Sequence, residues 1–147
     1  MKCLIFSDSH GSAYYIERAL ELHRDADAVF FLGDGLTDIE PLVAEYPLLT
    51  WFYVRGNCDI CAGILGVGAT VFGEVTLENK KIMYMHGDRC NVKYGTDDAL
   101  GLARANSVDI LLFGHTHTPC EKYVDGIYLF NPGSIGTAYG NIPTYGC

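Results

Sequence analysis

Two histidines stand two residues apart in Gly114-His115-Thr116-His117, directly after the apolar run Asp109-Ile110-Leu111-Leu112-Phe113. A polar turn accounts for such a pair, and so does a pair of metal ligands. The ends of the other apolar runs bear on the choice. After residues 2–7 comes Asp8-Ser9-His10, and after 28–32 comes Gly33-Asp34. After 50–54 comes Arg55-Gly56-Asn57-Cys58-Asp59, and after 81–85 comes His86-Gly87-Asp88. Four of the five histidines lie in these segments, with only His23 elsewhere. Each motif alone is weak, because Asp-x-His and Gly-Asp are common turns. As a coordinated set they supply seven donors: Asp8, His10, Asp34, Asn57, His86, His115 and His117.

Seven donors are too many for one tetrahedral zinc ion and suit two cations that share one carboxylate. Nitrogen and oxygen ligands without thiolate favour Mn, Fe, Zn, Co or Ni over Mg or Ca. The pairs Asp8/His10 and His115/His117 are expected to place both side chains on one face of extended backbone. Two divalent cations, two aspartates and a bridging hydroxide leave a site of about +1 charge. Such a site attracts phosphate even in an acidic protein.

The elements that must position these donors follow from hydropathy. Residues 2–7, 28–32, 50–54 and 109–113 read as buried strands, and 13–24 as an amphipathic helix with Ser12 as its N-cap. Residues 38–46 suggest a short helix that begins late because of Pro41. Residues 62–68 read as a glycine-rich loop. Residues 70–78 and 81–85 flank a hairpin turn at Glu78-Asn79-Lys80, and Asp125-Gly126 joins a second hairpin. Residues 96–106 read as a helix with acidic residues in its first turn. Asn131-Pro132-Gly133-Ser134 is a turn. This alternation predicts an α/β fold with sheets covered on both faces. In such sheets ligands bind at the carboxyl ends of strands, where all five polar segments fall.

The chain has 147 residues, about half of them apolar, and reads as one domain spanning 1–147. No apolar run approaches the ~20 residues of a membrane helix, and the amino terminus does not resemble a signal peptide. The expected compartment is the cytoplasm, with the six cysteines reduced. A net charge of −8 argues against a general nucleic-acid binder. Cys58 and Cys61 form a Cys-x-x-Cys that could act as a redox pair or half a zinc site, but no second such pair accompanies it.

In order, Asp-x-His, Gly-Asp, Gly-Asn-x-Asp, His-Gly-x and Gly-His-x-His resemble the calcineurin-like metallophosphoesterases. Arg55-Gly56-Asn57-Cys58-Asp59, Met85-His86-Gly87-Asp88 and Gly114-His115-Thr116-His117-Thr118-Pro119 are similar to the small stand-alone bacterial and archaeal phosphodiesterases of that superfamily. The resemblance runs from residue 1 to about 135. It implies a four-layer α/β/β/α sandwich of mixed sheets and a dinuclear centre, with manganese expected and Ni, Zn, Fe or Co as alternatives. Asp8, His10 and His117 would bind one metal, Asn57, His86 and His115 the other, and Asp34 would bridge them. A metal-bound hydroxide would attack the phosphorus of a small phosphodiester. His10 and Asn57 would take part in catalysis, with Asp59 orienting a ligand or the leaving-group side from behind.

Three positions depart from the broader superfamily. Cys58 and Asp88 stand where many relatives carry histidine, which leaves the general acid unassigned. After Thr144-Tyr145-Gly146-Cys147 a last strand would be expected to run on, so that sheet edge could pair with another copy in a homo-oligomer. Two other readings stay open on sequence alone. One is a binding scaffold, as in a eukaryotic trafficking subunit of this fold in which the first-motif histidine is replaced. The other is a repair nuclease, although those carry long capping segments that this chain lacks.

Overall fold

The computed structural model describes residues 1–60 and 63–147. Strand β1 (Cys3–Phe6), helix α1 (Tyr14–Leu22), β2 (Ala28–Phe31), α2 (Leu36–Glu45) and β3 (Thr50–Tyr53) form the first half. Then come α3 (Gly63–Gly68), β4 (Phe72–Leu77), β5 (Lys80–Met85), α4 (Asp97–Ala105), β6 (Ile110–Leu112), β7 (Cys120–Val124) and β8 (Ile127–Asn131). The first three strands form a parallel sheet in the order β1-β2-β3. The other five form a mixed sheet in the order β4-β5-β6-β8-β7, parallel from β5 through β8 and antiparallel at both margins.

Three apolar clusters glue four layers together. Leu4, Phe6, Val29 and Phe31 turn one face of the first sheet toward Ile16, Leu20, Ile39 and Leu42 of α1 and α2. Phe30, Leu32, Val54, Ile82, Tyr84 and Leu112 fill the space between the two sheets, with Phe30 stacked on Phe52 at 4.9 Å. Met83, Leu111 and Leu129 pack the far face of the second sheet on Ala99, Leu100 and Ala103 of α4. This explains the unbroken apolar run of β2. Its odd and even residues serve different clusters, so neither face can be polar.

Several expectations need correction. Ser12 does not cap α1; its N-cap is Ala13, with no side-chain cap bond. Helix α2 begins at Leu36, before Pro41 rather than after it. The missing proline N–H costs one internal bond, but the first turn is satisfied from outside. Asp59 Oδ1 accepts the N–H groups of Gly35 and Leu36 at 2.9 and 3.0 Å. Residues 63–68 are helical rather than loop, and α3 packs against α2. The free edge of β1 is partly covered by the chain itself, since Ile5 and Gly146 exchange N–H···O bonds of 3.0 and 2.9 Å. Both hairpins turn where expected, with Glu78, Asn79, Asp125 and Gly126 at positive φ. The five cysteines among the described residues are free thiols, and Cys61, hence the Cys58/Cys61 pair, lies outside them. None of the described helices is long and apolar enough to cross a membrane.

Candidate metal centre

Five strands deliver the polar segments to one end of the sandwich. β1, β2 and β3 supply Asp8, His10, Asp34 and Asn57 from one sheet, and β5 and β6 supply His86, His115 and His117 from the other. The seven side chains meet. His10 Nε2 lies 3.1 Å from His117 Nε2, and His86 Nε2 lies 3.0 Å from His115 Nδ1 and 3.2 Å from Asn57 Oδ1. Asp34 Oδ2 stands between the two clusters, 3.3 Å from His86 Nε2 and 3.8 Å from His10 Nε2. Among the described residues three donor groups have metal-holding geometry, the ligand atoms of each within 4.8 Å of one another: Asp8/His10/His117, Asp34/His86/His115, and His10/Asp34/Cys58, which straddles the other two.

The backbone that achieves this is not the extended one expected for the paired motifs. Asp8, His10, Asp34, His115 and His117 all have left-handed φ, between 47° and 66°. An L-residue in that region costs about 1–2 kcal/mol, and such strain persists only where the surroundings enforce it. Here they do. Asp8 Oδ2 accepts from Ser7 Oγ and from the His115 N–H, which ties the two sheets together beneath the site. Ser134 Oγ donates to the Asp8 carbonyl at 2.8 Å, and Ile135 N–H donates to the Ser7 carbonyl at 2.9 Å. Asn131 Nδ2 donates to the Gly114 carbonyl at 2.9 Å. The Asn-Pro-Gly-Ser turn is therefore a buttress for both histidine-bearing loops. Gly56 permits a close approach: a Cβ there would lie 2.1 Å from Asp34 Oδ1.

Asp59 sits behind the cluster rather than in it. Its carboxylate accepts from the N–H groups of Asp34, Gly35, Leu36 and Gly56 at 2.7–3.0 Å. Asp59 is thus a positioning residue that clamps the Asp34 loop onto the Asn57 loop. Asp34 Oδ1 in turn accepts the Cys58 N–H at 2.8 Å.

Burial penalises the Asp8 charge, but the His10 and His117 imidazoles beside it outweigh that penalty and hold the carboxyl well below the usual range. Asp34 is lowered in the same way, burial opposing and His86 prevailing. His10 is raised by the Asp8 carboxylate beside it. For His86 burial opposes, but Asp34 and Asp8 raise it. His115 is lowered by burial and by the positive charges of His86 and Lys93, so its ring favours the neutral form that binds metal. Burial, then the hydrogen bond and charge of Asp34, push the Cys58 thiol up to about 11. Among the described residues two buried side-chain atoms have no partner, Thr144 Oγ1 and Asp8 Oδ1; Asp8 is wholly inaccessible, and the Nε2 atoms of His117, His10 and His86 lie 3.2, 3.6 and 4.0 Å from its Oδ1. A carboxylate oxygen buried and facing three imidazole nitrogens is the donor set a cation would satisfy.

These shifts set a pH dependence. His10 and His86 hold protons more tightly when folded, so without metal their stabilisation is full below about pH 6.5 and is lost as pH rises through their raised values. Asp8 and Asp34 act oppositely, stabilising above about pH 3.9 and losing this as pH falls through their depressed values. The melting temperature of chelator-treated protein should therefore fall as pH rises above about 6.5. The gain from added manganese should grow over the same interval, because cations compete with protons for these ligands. Thermal melts with and without metal check this, and a metal-free melting temperature that rises across the interval contradicts it.

The cluster floors a cleft of about 360 Å³ lined by His10, Asp34, Asn57, Cys58, Lys93, His115, His117 and Tyr139. Lys93 was not legible in the sequence, since an exposed lysine between a short 3₁₀ turn and α4 carries no periodic signal. Tyr139 lines the cleft, while the exposed Tyr94 and the Asp88 carboxylate do not.

A family model described as the calcineurin-like phosphoesterase superfamily domain matches residues 1–147. Phosphodiesterase YfcE of Escherichia coli (strain K12) is 32% identical over 168 residues, covering 99% of this chain and 86% of the relative. The solved structure of YfcE, described as a phosphoesterase, is similar with a TM-score of 0.72 at 27% identity, over 99% of this chain and 87% of that one. Vacuolar protein sorting-associated protein 29 of Schizosaccharomyces pombe is 42% identical over 82 residues, 55% of this chain and 41% of its own length.

Proposed function

Because the chain belongs to the calcineurin-like phosphoesterase superfamily, it is a phosphoester hydrolase, and we propose that it cleaves small phosphodiesters at a two-metal centre. In this reading Asp8, His10 and His117 would hold one cation, Asn57, His86 and His115 the other, and Asp34 would be shared by both. The observation that carries it is the buried Asp8 Oδ1, unpartnered and faced by three imidazoles, beside a second donor group that Asp34 joins to the first. A cation pair there supplies Lewis acidity and a water of lowered pKa, the chemistry that phosphoester cleavage needs. Manganese fits the nitrogen-and-oxygen donor set, as do Ni, Zn, Fe and Co.

The chain's own groups do the rest. His86 donates from Nδ1 to the Leu32 carbonyl at 2.8 Å, which leaves Nε2 bare and aimed at the site. Lys93, on the cleft wall, is placed to attract the phosphate charge. The Cys58 N–H steadies Asp34, and the Cys58 thiol stays protonated where it lines the cleft. The cleft size and the net charge of −8 favour a small diester over a nucleic-acid polymer. Chelator-treated protein should hydrolyse bis(4-nitrophenyl) phosphate only after manganese is restored, with weaker action on the monoester. Turnover indifferent to chelation and restoration would contradict the proposal.

A further inference from the structure

The histidines of the two donor groups differ in what holds them. His86 is wholly buried and braced by a backbone carbonyl, that of Leu32. His10 and His117 are more open, with side chains 11% and 21% exposed. Both lean on one surface segment. The Tyr139 ring meets His10 edge-on at 5.0 Å and 89°, and lies 5.4 Å from His117. The Asn141 side-chain amide lies 3.2 Å from His117 Nδ1. This segment is pinned at either end, by Gly136 N–H donating to the Asp8 carbonyl at 3.2 Å and by Thr144 N–H donating to Ser134 at 2.9 Å.

A histidine that binds a cation through Nε2 carries its proton on Nδ1, and that proton needs an acceptor to fix the tautomer and the ring. Leu32 supplies one to His86 from the backbone. For His117 the group in reach is the Asn141 amide, which accepts the proton once its oxygen faces the ring. We propose that Asn141 is a positioning residue for one metal subsite, that of Asp8, His10 and His117. The inference rests on the two-metal reading above. A side chain on an exposed segment replaces the buried carbonyl that serves the other subsite, so affinity here is tunable without disturbing the strands.

The test uses the whole protein, stripped by chelator and titrated with manganese. Calorimetry reports the affinities, and electron paramagnetic resonance distinguishes isolated from coupled ions. Wild type should take up two ions per chain in separable events. Asn141→Leu, nearly isosteric but without an acceptor, should leave one event unchanged and weaken the other about 10–100-fold. The isolated-ion spectrum should then persist at concentrations where wild type shows the coupled pair. Asn141→Asp, whose carboxylate accepts from Nδ1–H, should restore the second event. Equal weakening of both events, or no change in either, overturns the role of Asn141. Failure of wild type to bind a second ion overturns the two-metal reading itself, before any variant is compared.

Discussion

Asp34→Asn is expected to reduce manganese-dependent diester hydrolysis by well over 100-fold, while Cys58→Ala costs much less. Removing even an outer partner of a metal ligand typically costs about 10–100-fold, and Asp34 faces both donor groups at once. The orientation of the new amide is forced. Asp34 Oδ1 accepts the Cys58 N–H, so an NH₂ group there would oppose another donor. The amide nitrogen must therefore take the Oδ2 position, between His86 and His10, and would turn N–H groups toward the proposed cations. Cys58→Ala keeps the backbone N–H that steadies Asp34 and removes only the thiol. Steady-state kinetics with circular dichroism as a folding control decides it. Equal activity of Asp34→Asn and wild type would remove the bridging role.

The largest stability loss is expected from Asp59→Ala. Its carboxylate, 5% exposed, is the acceptor for four backbone N–H groups, those of the N-cap Gly35 and the first helical residue Leu36 of α2 among them. A buried donor left without an acceptor costs about 1–3 kcal/mol, and an anion at a helix N-terminus contributes somewhat less than that. Water entering the vacated space recovers part, so a net loss of about 4 kcal/mol is expected, a large share of the ~5–15 kcal/mol typical of a domain. Asp59→Asn should fall between, since one oxygen can still accept while the new N–H groups face donors. Urea melts measure both, and an unchanged midpoint for Asp59→Ala would show that the clamp contributes nothing.

The sequence carried the site better than the backbone that builds it. Polar residues after apolar runs are legible because strand ends are where an α/β sheet can afford them, and all seven donors do converge. The left-handed φ of Asp8, His10, Asp34, His115 and His117 was not legible. No residue type there demands it, and it arises from bonds such as His115 N–H to Asp8 that join distant segments. Helix α2 shows the same limit, because a local rule about Pro41 was overridden by a cap from Asp59, more than twenty residues away. Asn141 and Lys93 lie in stretches without periodicity, and only the folded chain brings the first to His117 and the second to the cleft.

Anomalous diffraction at the manganese edge, from crystals grown with the metal, tests the two-metal centre most directly. Two peaks are predicted about 3.5–4 Å apart, one ligated by Asp8, His10 and His117, the other by Asn57, His86 and His115, with Asp34 touching both. A single peak, or a pair that leaves Asp34 outside either coordination sphere, would contradict it.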